Sequence, residues 1–267
     1  MSRATHDFDL EAPIIITGRG GSGTRMLSTL LQSVDLFLGN KINQQGDSME
    51  WVKLNRNMLQ QNISLEKGQF SEKWQHLLKE NAQTIIATEQ AKNHQAWGAK
   101  LPEFMFFIPE LKQVFPKAKF IHLIRHPIHL SLRRSHVSSR LGNAVGDIVL
   151  PKAYEFAGLP FDPNNQQEHI NNAVSWYYQL SQVTDHFAQH VNQGDLLTIK
   201  YEDILVNHQA VLNSLCQFLE LPKTSESNLV IDLTRANQDI KSHQQAKEVW
   251  QICGQLAKQF GYRYTQA

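Results

Sequence analysis

The chain has 267 residues and a formal net charge of +1, with 41% hydrophobic and 19% charged residues. These values are typical of a soluble globular protein that is long enough to bury a sizeable core. A nearly neutral chain has no overall field for nucleic acid or an anionic membrane, and no apolar run approaches the ~20 residues of a membrane span, so neither partner is expected.

The first predicted unit is a strand, a glycine-rich loop and a helix. Residues 13–17, PIIIT, form a short β-branched apolar run that is typical of a central parallel strand. The loop TGRGGSGTR follows at 17–25, and apolar residues then recur on one helix face as far as Val34. In such a unit the loop amides and the positive end of the helix bind phosphate-like anions.

This loop has the glycine spacing of a phosphate-binding loop but lacks its lysine. A loop that hydrolyses nucleotide continues with Lys and a Mg²⁺-binding hydroxyl, whereas Thr24 and Arg25 follow Gly23 here. A metal-binding carboxylate is not obvious at a strand end, because Arg125 follows the strand 118–124 where an Asp would be expected and Asp203 is the only other contender. The loop is therefore predicted to hold a phosphate or sulfate without a metal. The candidate binding residues are Arg19, Gly20, Gly21, Ser22, Gly23, Thr24 and Arg25.

Strands and helices alternate along the rest of the chain. Further strands are predicted at 36–39, 96–100, 118–124 and 195–200. Helices are predicted within 51–92, after Pro102 and Pro109, from Ile128, and over 170–187, 211–219 and 244–260. This alternation predicts a single α/β domain over 1–267 with three α/β/α layers and a central, mostly parallel sheet of about four or five strands.

Two segments do not follow the alternation. Residues 1–11 are predicted to be a polar N-terminal tail. Residues 138–166 are predicted to be irregular, and a connection of that length inside a compact domain is expected to be functional, as a lid over an acceptor would be.

Charged and aromatic residues directly follow three of the predicted strands. Lys100 ends the strand 96–100, Arg125 follows 118–124, and Tyr201 follows 195–200. Ligands bind at the carboxyl ends of the strands of an open parallel sheet. Arg125 is therefore predicted to grip a phosphate bidentately, and Tyr201 either stacks on a base or packs at the strand end.

The helix after Arg125 adds further candidates. Ser131 is expected on this helix, with Arg133 and Arg134 about two turns along. The two arginines either bind an anion or form a solvated basic face, and both interpretations are open.

Histidines and cysteines indicate no metal site. His122 alternates with apolar residues in a strand and is expected to be structural, and the histidines that follow it lack metal-ligand spacing. Cys216 and Cys253 lie in helical apolar patterns and are expected to be buried free thiols. With a polar start at residues 1–9, these features predict a cytoplasmic protein.

Four short motifs occur in a fixed order over about residues 15–222. They are SGT in the glycine loop, Lys before Pro at a strand end, RHP before a basic helix, and YED before a helix that closes in FLELP. In this order they resemble the sulfotransferases that use 3′-phosphoadenosine 5′-phosphosulfate (PAPS). The resemblance implies that PAPS is the donor, that PAP is the product and that no metal is needed.

The resemblance also implies roles for individual residues. The loop from Arg19 to Arg25 would hold the 5′-phosphosulfate and Arg125 the 3′-phosphate, while Lys100 would approach the bridging region and Tyr201 the adenine. Charge builds on the leaving phosphate oxygen, so Lys100 and Arg19 are candidate catalytic residues.

Three positions depart from the family pattern. Gly21 stands where the family usually has Lys or Arg before SGT, and Arg25 where it usually has a second Thr, so Arg19 or Arg25 must supply the charge. Arg133 occupies the place of the family's 3′-phosphate serine. Ser131, Arg133 and Ser135 are therefore all candidates for completing the 3′-phosphate site.

The general base is not at its usual place in the family. Pro102 replaces the histidine that follows the strand-end Lys by two residues in many members. Asp47 is then the first candidate base and Glu50 the second, both in GNKINQQGDSMEW, with His94 next. The alternative for both acidic residues is helix capping.

The predicted function is sulfuryl transfer from PAPS to a hydroxyl or amine. The acceptor, whether a small molecule, a carbohydrate or a lipid, is not identified by the sequence, and neither is the oligomeric state. The alternatives are a P-loop kinase or NTPase with an atypical loop, and a non-catalytic nucleotide-binding module of the same fold.

Overall fold

This computed structural model describes residues 8–133, 135–222 and 243–264. Within these ranges the central sheet has five parallel strands. The strands are β1 (Ile14–Thr17), β2 (Leu36–Phe37), β3 (Ala96–Lys100), β4 (Lys119–Ile124) and β5 (Leu196–Lys200). They lie in the order β2-β3-β1-β4-β5, and every pairing is parallel. The predicted parallel sheet is confirmed, and β1 lies at its centre.

Helices cover both faces of this sheet. They are α1 (Thr24–Gln32), α2 (Val52–Gln60), α3 (Glu72–Ile86), α4 (Ile108–Val114), α5 (Pro127–Ser131), α6 (Gly146–Phe156), α7 (Glu168–His190), α8 (Tyr201–Leu219) and α9 (His243–Gln259). Short 3₁₀ turns at Met49–Trp51, Pro102–Phe106 and Val137–Ser139 connect some of them.

The β1 strand divides the core into two layers. Successive side chains of a strand point to opposite faces of the sheet. Ile15 accordingly packs with residues of α3, α4, α7 and α9, whereas Ile14 and Ile16 pack with residues of α1 and α8. The predicted three-layer α/β/α architecture is therefore confirmed.

The segment 138–166 is more regular than its sequence suggests. Its residues 146–156 form α6, although Pro151 inside the helix has no amide for the helical hydrogen bond. Tyr154 of α6 packs against Val174 of α7, and its hydroxyl donates to Asn171 Oδ1 at 2.6 Å. The expectation of an irregular segment is wrong for 146–156, because packing on α7 outweighs the proline. A lid function for this segment stays a prediction.

Two further boundaries differ from the prediction. Residues 1–7 of the expected tail lie outside the described residues, but Phe8 and Leu10 pack on the core, and the Trp97 indole donates to the Asp9 carbonyl at 2.9 Å. Residues 8–11 are therefore anchored rather than a polar tail. α8 begins at Tyr201, directly after β5, and is interrupted by non-helical dihedral angles at Asn207.

Candidate functional site

The residues that follow β1, β3, β4 and β5 meet at one edge of the sheet. Because the strands are parallel, their carboxyl ends lie on the same side, and the loop after the central β1 lies between Lys100 and Arg125. These groups line a cavity of about 380 Å³, which we call the large cavity, together with Arg25 and Tyr201. The structure therefore brings together most of the residues that the sequence singled out.

Gly23 lets the loop approach Tyr201. It has φ of 101° and caps α1, and a Cβ at this position would lie 2.3 Å from Cδ2 of Tyr201. Only glycine suits both the left-handed backbone and the contact. α1 begins at Thr24, and Thr24 and Arg25 of its first turn line the large cavity. The backbone amides of a first helical turn have no partner within the helix and can bind an anion.

Arg125 is held at the wall of the large cavity by its neighbours. It is 2% exposed, its carbonyl accepts a hydrogen bond from the Trp176 indole at 3.0 Å, and its guanidinium lies over the Tyr201 ring. Burial, and then the charge of Arg133, lower the pKa of Arg125. A buried guanidinium of this kind favours an anionic partner.

Lys100 and Asp47 form a close ion pair beside the loop. Lys100 Nζ donates to Asp47 Oδ1 at 2.5 Å and to the Gln45 carbonyl at 3.0 Å. Lys100 is 1% exposed, and burial lowers its pKa although the Asp47 carboxylate opposes this effect. Asp47 Oδ2 accepts a second hydrogen bond, from Asn43 Nδ2 at 3.0 Å. Both carboxylate oxygens of Asp47 are thus already engaged.

Arg19 does not take the position expected for it. Its side chain is 1% exposed and points into the protein, where the guanidinium donates to Ser139 Oγ, to Asn172 Oδ1 at 3.0 Å and to the Gly20 carbonyl at 2.7 Å. Burial lowers its pKa to about 9. The expectation that the Arg19 side chain reaches the phosphosulfate is therefore corrected: the side chain ties the loop to α7, and the exposed Arg25 lines the large cavity instead.

The second and third candidate bases also lie elsewhere. The Glu50 carboxylate accepts hydrogen bonds from the backbone amides of Asn40 and Lys41 at 2.7 and 2.8 Å. It thus caps a turn rather than facing the large cavity. His94 contacts the Asp35 carboxylate at 2.9 Å, away from that cavity. The expectation that Glu50 or His94 acts as the general base is therefore corrected. Glu50 is bound by local backbone amides, and His94 is bound by the carboxylate of Asp35.

The segment after α5 supplies buried hydroxyl groups. α5 ends at Ser131, so Arg133 lies beyond the helix rather than two turns along it, and Arg134 lies outside the described residues. Ser131 and Ser135 are buried, and Arg133 lines the large cavity. Asn172 Nδ2 donates to the carbonyls of Ser131 and Arg133 at 3.0 and 3.1 Å, which connects this segment to the Arg19 network.

Several buried polar atoms of the site have no partner among the described residues. They are Ser22 Oγ, Ser131 Oγ, Ser135 Oγ and Arg125 Nε. Buried hydroxyl and guanidinium groups are normally hydrogen-bonded, so such atoms call for a ligand or water. Donors of this type fit a ligand that presents several anionic oxygens.

His136 is the site residue that the sequence analysis missed. It is half-buried and lines the large cavity, and a Cβ on Gly20 would lie 2.1–2.3 Å from three atoms of its ring. Burial and then the Arg19 charge lower the pKa of His136 to about 3. No local pattern predicts this contact, since it depends on how the chain after α5 returns over the loop.

Within the described ranges, no group of three or more His, Cys, Asp or Glu side chains could hold a metal ion. Among the helices of those ranges, none has the length and apolarity needed to cross a membrane. Cys216 and Cys253 are buried free thiols, as predicted.

Three sulfotransferases are among the solved structures that resemble this fold. The sulfotransferase domain of the Synechococcus PCC 7002 olefin synthase is 16% identical with a TM-score of 0.52 over 99% of this chain and 100% of that one. A Mycobacterium avium sulfotransferase is 12% identical, with a TM-score of 0.54 over 96% and 78% of the two chains. An Alicyclobacillus acidocaldarius sulfotransferase is 12% identical, with a TM-score of 0.51 over 94% and 97%. At such identities the likeness concerns the fold.

Sequence comparison gives the family. A search of curated proteins finds no match. The model of the Sulfotransferase family matches residues 13–226, which include the glycine loop, Lys100, Arg125 and Tyr201. This chain therefore belongs to the sulfotransferase family.

Proposed function

We propose that the protein transfers a sulfuryl group from PAPS to a hydroxyl or amine of an acceptor. The observation that supports this most is the large cavity, where the glycine loop, Lys100, Arg125 and Tyr201 surround about 380 Å³ at the carboxyl edge of the sheet. Membership of the sulfotransferase family supports sulfuryl transfer in general, and the donor and acceptor belong to the proposal.

The residues present suit the two anionic groups of PAPS. The loop amides, Ser22, Arg25 and Lys100 would hold the 5′-phosphosulfate. Arg125 would hold the 3′-phosphate with help from the segment after α5, where Ser131 and Ser135 have buried hydroxyl groups without partners among the described residues. Tyr201, whose ring stacks on Arg125, is the proposed neighbour of the adenine.

The chemistry needs stabilisation of the leaving phosphate oxygen. Fixed donors aimed at developing charge in a buried site lower a barrier more than they would in water. Lys100 is such a donor, since Asp47 and the Gln45 carbonyl hold its ammonium in place. The proposal includes no metal and places the reaction in the cytoplasm.

The two alternative functions predict different behaviour. A P-loop kinase or NTPase would bind ATP with Mg²⁺ through a loop lysine, which this loop lacks. A non-catalytic module would bind PAP but would not convert PAPS into PAP.

A thermal-shift experiment tests the donor. PAP without Mg²⁺ should raise the melting temperature, because a ligand at about 100 times its Kd stabilises the native state by roughly 2.7 kcal/mol. ATP with Mg²⁺ should do much less, and 5′-AMP, which lacks the 3′-phosphate, serves as the control. The opposite order would overturn the proposal in favour of a kinase, and PAP binding without release of PAP from PAPS would favour the non-catalytic module.

A further inference from the structure

One face of α7 carries three side chains that form hydrogen bonds with the backbone of residues 125–135. Glu168, Asn172 and Trp176 are spaced four residues apart, so they lie one above another on the helix. Asn172 and Trp176 are each 0% exposed, whereas Glu168 lies in the exposed first turn. Apolar residues such as Ala173 and Val183 already pack α7 on the core. The hydrogen bonds on this face therefore serve another purpose.

The two ends of this face hold the two ends of the region proposed for the 3′-phosphate. Trp176 donates from its indole nitrogen to the Arg125 carbonyl at 3.0 Å, directly after β4. Glu168 Oε1 accepts a hydrogen bond from the Ser135 amide at 2.7 Å. Arg125 Nε and Ser135 Oγ are buried and have no partner among the described residues. The helix thus fixes the backbone and leaves these donors for a ligand.

Asn172 holds the middle of the same region with both ends of its amide. Its Nδ2 donates to the carbonyls of Ser131 and Arg133 at 3.0 and 3.1 Å, and its Oδ1 accepts from the Arg19 guanidinium at 3.0 Å. The reverse orientation would set the amide oxygen against two carbonyls and the amide nitrogen against a guanidinium. The hydrogen-bond network therefore fixes Nδ2 as the donor to the two carbonyls.

A donor is needed here because α5 is short. It ends at Ser131, and the last carbonyls of a helix have no amide partner within that helix. Asn172 Nδ2 takes the place of the amide that a further turn would supply. Residues 132–133 and 135–136 belong to none of the described helices and strands. Their path past the large cavity therefore depends on the hydrogen bonds from α7.

Resting on the proposed function, we propose that Asn172 is the positioning residue for the 3′-phosphate of the donor and that, with Glu168 and Trp176, it makes the protein selective for adenine nucleotides that carry this phosphate. Among the described residues that line the large cavity none belongs to α7. The three side chains therefore act through Arg125 and the segment 131–135. Donors bind a ligand group well only when they are held within about 0.5 Å of the right place.

The competing interpretation is purely structural, with Asn172 serving only as a cap for α5. The two roles differ in what a variant loses. Loss of a cap lowers the melting temperature and leaves the relative affinities of ligands unchanged. Loss of a positioning residue weakens only the ligand that carries the 3′-phosphate.

The ratio of the Kd for 5′-AMP to the Kd for PAP measures this selectivity, because the two nucleotides differ only in the 3′-phosphate. Asn172→Asp keeps an acceptor for Arg19 but sets an oxygen against the carbonyls of Ser131 and Arg133. In isothermal titration calorimetry it should lower the ratio about tenfold, as for a lost hydrogen bond to a charged group, with 5′-AMP within about threefold of wild type. Asn172→Leu, which adds no charge, should lower the ratio by a similar factor.

Variants of Glu168 test the same proposal at a position that tolerates substitution. Glu168 is exposed, so its variants should fold. Glu168→Ala removes the acceptor of the Ser135 amide and should lower the ratio roughly threefold. Glu168→Gln retains an acceptor oxygen and should keep the ratio near wild type. Both variants remove the same charge, so their difference isolates the hydrogen bond.

Ser175→Ala is the matched control. Ser175 also lies on α7, is 0% exposed, and donates to the Ser138 carbonyl at 3.1 Å, beyond the region proposed for the 3′-phosphate. Its loss should lower the melting temperature and leave the ratio unchanged, because it removes a buried hydrogen bond of the same kind from the same helix.

Each failure has a separate meaning. If the wild-type protein binds PAP no better than 5′-AMP, the proposed function itself fails. If it prefers PAP but the Asn172 variants keep the wild-type ratio, or lose affinity for both nucleotides equally, Asn172 supports the fold and the positioning role is wrong. A fall in the ratio for Ser175→Ala as large as for Asn172→Asp would also overturn it. If the Asn172 variants do not fold, an unchanged ratio in Glu168→Ala overturns the proposal.

Discussion

The Arg125 guanidinium lies 4.0 Å from the centroid of the Tyr201 ring, which joins the carboxyl ends of the neighbouring strands β4 and β5. Stacking uses the face of the guanidinium and leaves its N–H donors in the plane available for an anion. Tyr201 in turn packs against Gly23 of the loop. Gly23 and Tyr201 therefore hold Arg125 in a defined place, and no carboxylate of the described residues forms an ion pair with it.

This relationship makes Arg125→Ala informative. Loss of a charge-assisted contact with the 3′-phosphate should weaken PAP binding by about tenfold to a hundredfold. Adenosine 5′-phosphosulfate, which lacks that phosphate, should bind with nearly unchanged affinity in isothermal titration calorimetry. Equal losses for both ligands would mean that Arg125 supports the fold of the site rather than the phosphate.

The two arginines that flank the loop should behave in opposite ways. Arg19→Met leaves Ser139 and Asn172 without their buried donor, so the free energy of unfolding should fall by about 1–3 kcal/mol while PAP affinity changes less than threefold. Arg25→Met removes an exposed charge at the large cavity, so PAP affinity should fall about tenfold with stability within ~0.5 kcal/mol. Urea unfolding and calorimetry measure both quantities. An exchange of these two results would restore Arg19 as the phosphosulfate ligand.

The pair of Asp47 and Lys100 should be coupled in stability. Asp47→Asn leaves the buried Lys100 ammonium without its counter-charge and should cost about 3 kcal/mol of unfolding free energy. The double variant Asp47→Asn, Lys100→Met should recover part of this loss, because no unpaired buried charge remains. If Asp47→Asn instead keeps wild-type stability and loses turnover a hundredfold or more, Asp47 is the base that the sequence analysis placed first.

His122 should make stability depend on pH. It is 1% exposed in β4, its ring lies 5.3 Å from that of Phe187, and burial lowers its pKa from 6.5 to about 4. Since the folded pKa is lowered, the unfolded chain binds the proton first. The contribution of His122 to the free energy of unfolding is fully present above pH 6.5 and is lost as the pH falls towards 4. The loss from this residue should reach roughly 3 kcal/mol.

The comparison of His122→Phe with wild type measures this contribution. Urea unfolding at pH 7.5 and at pH 5 should give a smaller difference in the variant than in the wild type. His136, whose pKa is also lowered by burial, should maintain part of the dependence in both proteins. An equal pH dependence in the two proteins would show that His122 does not titrate on unfolding.

Most of the fold could be predicted from the sequence because its signals are local. The apolar β-branched run at 13–17 favours a buried strand by its own composition, and helices between consecutive strands favour parallel pairing. Parallel strands have their carboxyl ends on one side, so Lys100, Arg125 and Tyr201 had to meet there. The glycine loop, Arg125 and Tyr201 could therefore be assigned to one site before their distances were known.

The tertiary structure alone decided which side chains face that site. Arg19 and Arg25 lie in the same loop and carry the same charge, yet packing against α7 buries one and leaves the other at the large cavity. The same long-range packing places the His136 ring on Gly20, engages Asp47 with Lys100 and folds residues 146–156 into a helix despite Pro151. Periodicity and strand ends are properties of neighbouring residues, whereas the direction of a side chain depends on partners that the fold brings from distant parts of the chain.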